Sequence, residues 1–299
     1  MEKQFTQLIT LFLVFISQLS GMGSYEILNF SQDSRSLALH NSSSAYDSHI
    51  LGNNPAALSL FDEKTTYSYF TIPANISSAQ FQKNKRIKLG MYVGKLLFIN
   101  YGSIADGETT AQTNAYDAVF EIGYKSELKK ILSIGISGGY LLSSISDHNS
   151  QVLFAKIGLR TRMLRKRIGI GLSLENVGFI VSSYTKIKEP LPTIFRSSIY
   201  YKPFYLPIII NTDLVHHFNS QSIEFLGGIE FIASKQFIFR IGYSSNRGNL
   251  LTNNFSSDFL AGVSGGVGFQ FKKIILDIGF MSFGNTGFVI GFSVINKLK

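Results

Sequence analysis

The chain has 299 residues, of which 45% are hydrophobic and 13% aromatic, while only 16% are charged and the formal net charge is +9. That charged fraction is well below the roughly 25% of ordinary soluble domains. The absence of cysteine excludes disulfides, thiolate metal sites, thiol nucleophiles and Cys-linked lipid anchors.

Lysine and arginine are scattered, with no long basic run, so the positive balance points to lipid head groups or a charged lumen rather than to nucleic acid. Residues 1–23 read as a signal peptide. Lys3 supplies the positive start, 8–16 is an apolar core too short to span a bilayer comfortably, and Ser20, Gly21, Gly23 and Ser24 form a small-residue exit. A membrane anchor is the alternative reading of the same stretch. No later run holds eighteen uninterrupted apolar residues, so no transmembrane helix is predicted after it.

Residues 24–62 read as a small N-terminal plug. Within it, 25–30 can make one short strand, Ser34-Arg35-Ser36-Leu37-Ala38-Leu39 places polar groups ahead of small apolar ones, and 41–44 is a polar turn. At the junction 51–58, Pro55 fixes its own φ, pushes Asn54 out of the helical region and suits the first position of a helical turn.

From Thr65 onward the hydrophobic period becomes two. Strands are predicted at 64–72, 76–83, 85–99, 115–126, 129–147, 150–164, 166–179, 192–202, 205–219, 221–233, 236–245, 258–272, 273–284 and 286–296. In 236–245, Phe237, Phe239, Ile241 and Tyr243 oppose Ile238, Arg240, Gly242 and Ser244. The second face is mostly Gly, Ser, Ala and Thr. Its sparse charges are Glu121, Lys156, Arg160, Arg162, Glu175, Arg196, Asp213, Glu224, Glu230, Arg240 and Asp277. A soluble sandwich would carry long charged side chains on that face. Large apolar residues outside and small or singly charged ones inside indicate an all-β transmembrane outer-membrane barrel over 63–299, of about fourteen antiparallel strands.

The links are asymmetric. Short ones rich in Lys and Arg (83–85, 129–130, 165–167, 202–204, 234–235, 272–273) alternate with longer ones at 101–114, 182–191 and 246–257. The long set is expected outside the cell. Tyr124, Tyr200, Tyr201 and Phe204 are expected in an interfacial girdle.

No catalytic, cofactor or metal residue is predicted, and the chain reads as a non-enzyme. His216 and His217 are adjacent on a strand and point to opposite faces, so they and Asp213 do not suit one ion. The glycine-rich 262–268 lacks the lysine and the helix that phosphate binding needs, and no Gly-x-Ser-x-Gly turn opens a helix. Lys156, Arg160 and Arg162 share a face, which Arg196 and Arg240 can join. They either bind an acidic ligand or pair with Glu175, Glu224, Glu230 and Asp277. The comparable number of opposite charges favours pairing.

The order of signal peptide, Ser34-Arg35, Asp47, Asn54-Pro55-Ala56 and a barrel resembles the PorV/PorQ family of Bacteroidetes outer-membrane proteins, distant relatives of the FadL fatty-acid channel. Two departures stand out: His40-Asn41 occupies the place of a Gly pair, and a single Asp replaces a pair. The resemblance implies a scaffold of the type IX secretion and cell-surface attachment machinery in a Gram-negative outer membrane. Its partners would be outer-membrane lipid, lipopolysaccharide and other proteins of that complex. The alternative is a FadL-like channel for hydrophobic small molecules such as long-chain fatty acids. That alternative needs an apolar lumen pocket and a kinked strand. The inward face reads instead as mostly Gly, Ser and charge, with 262–268 the candidate kink.

Overall fold

A computed structural model describes residues 25–31, 33–60, 63–105, 112–128, 131–186, 189–250 and 260–298. The expected signal peptide at 1–23, the 129–130 link and parts of the three long links lie outside them. The period-two pattern builds fourteen strands: β1 (Lys64–Ile72), β2 (Ile76–Ile87), β3 (Gly90–Ala105), β4 (Gln112–Leu128), β5 (Leu132–Ile145), β6 (His148–Met163), β7 (Ile168–Ser182), β8 (Ile194–Tyr201), β9 (Ile208–His217), β10 (Ser222–Ile232), β11 (Phe237–Ser244), β12 (Val263–Gln270), β13 (Ile274–Ser282) and β14 (Phe288–Lys297). Each pairs antiparallel with its neighbours in sequence. β1 then pairs with β14, from Lys64↔Lys297 to Thr71↔Ile290, and the barrel closes. Closure leaves no strand edge with unpaired backbone groups.

The outer wall is apolar. On β11, Phe237, Phe239, Ile241 and Tyr243 are 42–56% exposed while Arg240 and Ser244 are buried inside. The same alternation places Leu96, Phe98, Phe120, Ile136, Ile157, Phe231, Ile290 and Phe292 outward. A continuous apolar band of this kind is a lipid-facing surface. No helix among the described residues is long and apolar enough to cross a membrane.

The start of β1, the end of β14 and the short, basic links share one end, here the basic rim. The longer links 183–193 and 245–262 lie at the opposite end, the far rim.

Three expectations change. Residues 83–85 are not a link: Lys83 pairs with Thr65 and Gly94 inside β2, and the chain turns at 88–89. Asn84 faces inward, where its Nδ2 donates to the His49 carbonyl at 3.0 Å, while Lys83 and Lys85 are exposed. Residues 25–30 form no strand but a 3-10 turn, Glu26–Asn29, because the inward wall offers them side chains rather than a strand edge. Tyr200 is 2% exposed inside the barrel, edge-on to Tyr46, and so leaves the girdle. The inward face of β7 shifts at Asn176, which has φ +58° and is buried beside Glu175.

Candidate ligand chamber and its plug

Residues 25–31 and 33–60 lie within the lumen, held by the wall's small and charged inward residues. Ser34–Ala38 form one short helix, α1, whose N-cap Asp33 accepts the Ser36 N–H. The Ser34 N–H donates to Ser293 Oγ at 2.9 Å. Arg35 then donates from Nε and Nη2 to the two oxygens of Glu230, at 3.0 and 2.6 Å. Arg240 shares that carboxylate at 3.0 Å and reaches Asp277 at 2.5 Å. Two guanidinium groups and two carboxylates thus neutralise one another out of water, the condition under which buried charge is tolerated.

Further along, Arg196 pairs with Glu175 at 2.9 Å and Asp213 at 3.4 Å. Asp47 accepts from Arg160 at 2.7 Å, with Arg162 at 3.5 Å. Burial by itself would raise the Asp47 carboxyl, but Arg160, Arg162 and Lys125 together hold it below the usual carboxylate range. Asn54 caps its own turn by accepting the Ala56 N–H and donates across to the Leu159 carbonyl at 3.2 Å. Pro55 and Ala56 lie on Gly135 and Asn54 on Gly158, two glycines paired on β5 and β6.

The structure therefore joins the two groups of residues singled out in the sequence. Arg35 of the plug meets Glu230, Arg240 and Asp277, and Asp47 meets Arg160 and Arg162. Lys156 and Glu224 stand apart from both. Lys156 pairs with Glu121 at 3.3 Å, and Glu224 accepts from His217 at 3.2 Å. Sequence reading missed Lys95, which joins Lys156 on Glu121, and Lys125, whose Nζ donates to the Leu58 carbonyl. The signal was present, since both lysines sit at inward positions of the alternation in β3 and β4.

The basic half of the lumen thus holds most of these charges, beside small apolar clusters at Met91 and Val93 and at Tyr200 and Ile209, and a cavity of about 500 Å³ lined by Arg35, Asp47, Glu230, Arg240 and Asp277 among others. The far half is different. Leu97, Ile99, Val119, Leu141, Val152, Phe154 and Ile180 all point inward and form one apolar cluster. Tyr25, Ile27 and Leu28 of the plug pack into it. A packed apolar cluster in the lumen is what the sequence reading did not expect. The inward face changes one step along each strand: Lys95 to Leu97, Glu121 to Val119, Lys156 to Phe154. Toward the far rim, Tyr25 and Ile27 of the cluster line a cavity of about 340 Å³, here the chamber, together with Tyr101, Asp117, Ser143, Ile145 and Tyr184 among others.

The wall around the chamber is irregular. The β3–β4 register shifts between Asn100 and Ser103, where Gly102 has φ +74°. The β6–β7 register shifts between Ala155 and Ile157. Bulges of this kind bend a strand and increase its twist. By contrast 262–268, the candidate kink, pairs without a shift from Val263 onward with β11 and from Ser264 onward with β13. One of its glycines makes room for the plug: a Cβ on Gly266 would lie 2.7 Å from the Ala38 side chain.

No family model matches the chain, and no curated protein matches it in sequence. Its fold is that of solved outer-membrane barrels. The toluene transporter TbuX of Ralstonia pickettii superposes with a TM-score of 0.61 at 12% identity, covering 94% of this chain and 99% of that one. The toluene transporter TodX of Pseudomonas putida gives 0.61 at 10% identity, covering 93% and 98%. A FadL homologue of Pseudomonas aeruginosa gives 0.58 at 8% identity, covering 94% and 100%. What the likeness establishes is a shared architecture: a closed barrel of fourteen antiparallel strands.

Proposed function

We propose that this chain is an outer-membrane channel for small apolar molecules, with residues 25–60 as its plug, and that it does no chemistry on what it carries. The observation that carries this reading is the far-rim cavity, with an apolar cluster packed beside it. A barrel that served only as an anchor would have no use for a cavity bordered by inward Leu, Ile, Val and Phe beyond a layer of buried ion pairs. The likeness to transporters of toluene supports it at the level of architecture.

The basic rim faces the periplasm, since both ends of the barrel-forming chain and the short links lie there. An apolar molecule enters from the far rim and meets the chamber first. Passage straight on is unfavourable, because it requires opening the buried ion pairs below. Release sideways is favoured where β3 departs from regular pairing. Outside that wall the lipid-facing side holds an apolar groove over Ala79 and Ala118, flanked by Phe81, Leu96, Phe98 and Phe120.

The secretion-scaffold reading and the Bacteroidetes-like assignment rest on the plug motif and the order of segments, and the similar solved structures, transporters of toluene among them, do not support them. Short far-rim links at 73–75 and 146–147 offer little surface for gripping a folded cargo.

Binding tests the chamber directly. Leu141 is fully buried in the cluster. Titration of the purified chain with p-xylene should give saturable binding that Leu141→Arg abolishes while the barrel still folds. Equal isotherms for the two proteins would remove the chamber from the account.

A further inference from the structure

The far-rim cavity contains a charge that the rest of the lumen does not explain. Among the described strand residues, seven other carboxylates face inward or line the lumen, and each has a basic partner: Glu121, Glu127, Glu175, Asp213, Glu224, Glu230 and Asp277. Asp117 has none. It is 6% exposed and accepts only hydroxyl donors, from Tyr101 at 2.7 Å and from Ser143, which itself accepts from Tyr184. A buried carboxylate without a cation is costly. Here the missing counter-charge borders an open cavity rather than packed protein.

The other walls of that cavity suit a cation. Tyr25, Tyr101 and Tyr184 line it, Glu26 stands beside them, and no lysine or arginine lines it among the described residues. Aromatic rings around an acidic group form the environment that attracts an alkylammonium through ring quadrupole and charge together. Ile27 and Ile145 supply apolar surface for the rest of such a molecule. The volume of about 340 Å³ is at the lower end of the roughly 300–1,000 Å³ of ligand pockets, so the ligand is small.

We infer that the far-rim cavity, with Asp117 at its base, is a recognition site for small apolar molecules that carry a protonated amine, and that it disfavours carboxylates. This deepens the channel reading, on which it rests for the purpose of the cavity. It also separates the chain from carriers of fatty acids, whose carboxylate would meet Asp117 with no cation beside it.

Three probes of nearly one shape decide it: benzylammonium, benzyl alcohol and benzoate, titrated calorimetrically into the full chain in detergent at neutral pH. Benzylammonium should bind at least about tenfold more tightly than benzyl alcohol, a difference of ~1.4 kcal/mol, and benzoate should not bind. Asp117→Asn keeps the shape and the hydroxyl partners. It should erase the preference for the cation and leave benzyl alcohol nearly unchanged. Tyr184→Leu, a second variant that leaves Asp117 in place, should weaken benzylammonium more than benzyl alcohol. Heat-modifiable electrophoretic migration checks that each variant forms the barrel. Equal binding of all three probes, preference for benzoate, or a preference that survives Asp117→Asn overturns the inference. If no probe binds while p-xylene does, the cation site falls and the channel stands. If p-xylene also fails to bind, both fall.

Discussion

Gly135 shows how narrowly the plug fits. A Cβ at that position would lie 2.3 Å from the Pro55 carbonyl carbon and 2.4 Å from the Ala56 nitrogen, which are backbone atoms that cannot swing aside. Overpacking of this kind costs about 1–3 kcal/mol. Gly135→Val should therefore unseat Asn54-Pro55-Ala56 and leave the barrel intact. Limited proteolysis should then cut within 44–60, whereas Gly94→Ala, with nothing within 4 Å of its Cβ, should resist like the parent. Resistance in both variants would mean that the turn does not sit against the wall. At this scale the sequence was informative about identity and silent about partners. Ser34, Arg35, Asp47 and Asn54 were legible as a motif, and Glu230, Arg240 and Arg160 as inward charges. Their meeting was not legible, because Arg35 and Glu230 are 195 residues apart and only barrel closure brings them together.

The strands were the most legible elements. Alternation fixes the face of every residue, so all fourteen could be placed from the pattern, and the corrections fall where alternation breaks or is misread. In β2 a polar run was read as a turn because a strand end with polar residues on both faces has the composition of a link. In β7 the added inward residue Asn176 moves Ile180 into the apolar cluster, and no local composition signals such a shift. The plug is the least legible element, since its shape is set by the wall rather than by its own propensities. Its hold depends on pH. The folded-state pKa of Asp47 lies below the usual value, so its contribution is present at neutral pH and is lost as pH falls through that depressed value. Gly52 has open space around its Cβ, and the chain has no cysteine of its own, so Gly52→Cys accepts a nitroxide label. The label should be immobile at pH 7 and gain mobility only as pH falls below about 4, near the free carboxyl value. With Asp47→Asn added it should be mobile at pH 7 already. A spectrum that ignores both changes would mean that this carboxylate does not hold the plug.

The lumen changes in character along its axis. The basic half holds most of the paired charges and the glycines that seat residues 33–60, and the far half holds a packed apolar cluster beside a cavity with a lone carboxylate. This change explains why the inward composition spoke against a channel, while the scaffold reading came from the resemblance in the N-terminal motif and segment order. Averaged along each strand, the inward face looks small and polar, and only separation of the two halves reveals the chamber. On the proposed channel reading, the barrel admits a small molecule from one side and bars the direct path to the other. The most direct test is uptake of radiolabelled toluene by cells of a Gram-negative host without channels of this kind, expressing the chain or its Leu141→Arg variant at equal outer-membrane levels. Uptake should exceed the vector control for the parent and return to it for the variant. Uptake at the vector rate with the parent barrel folded in the outer membrane would contradict the channel.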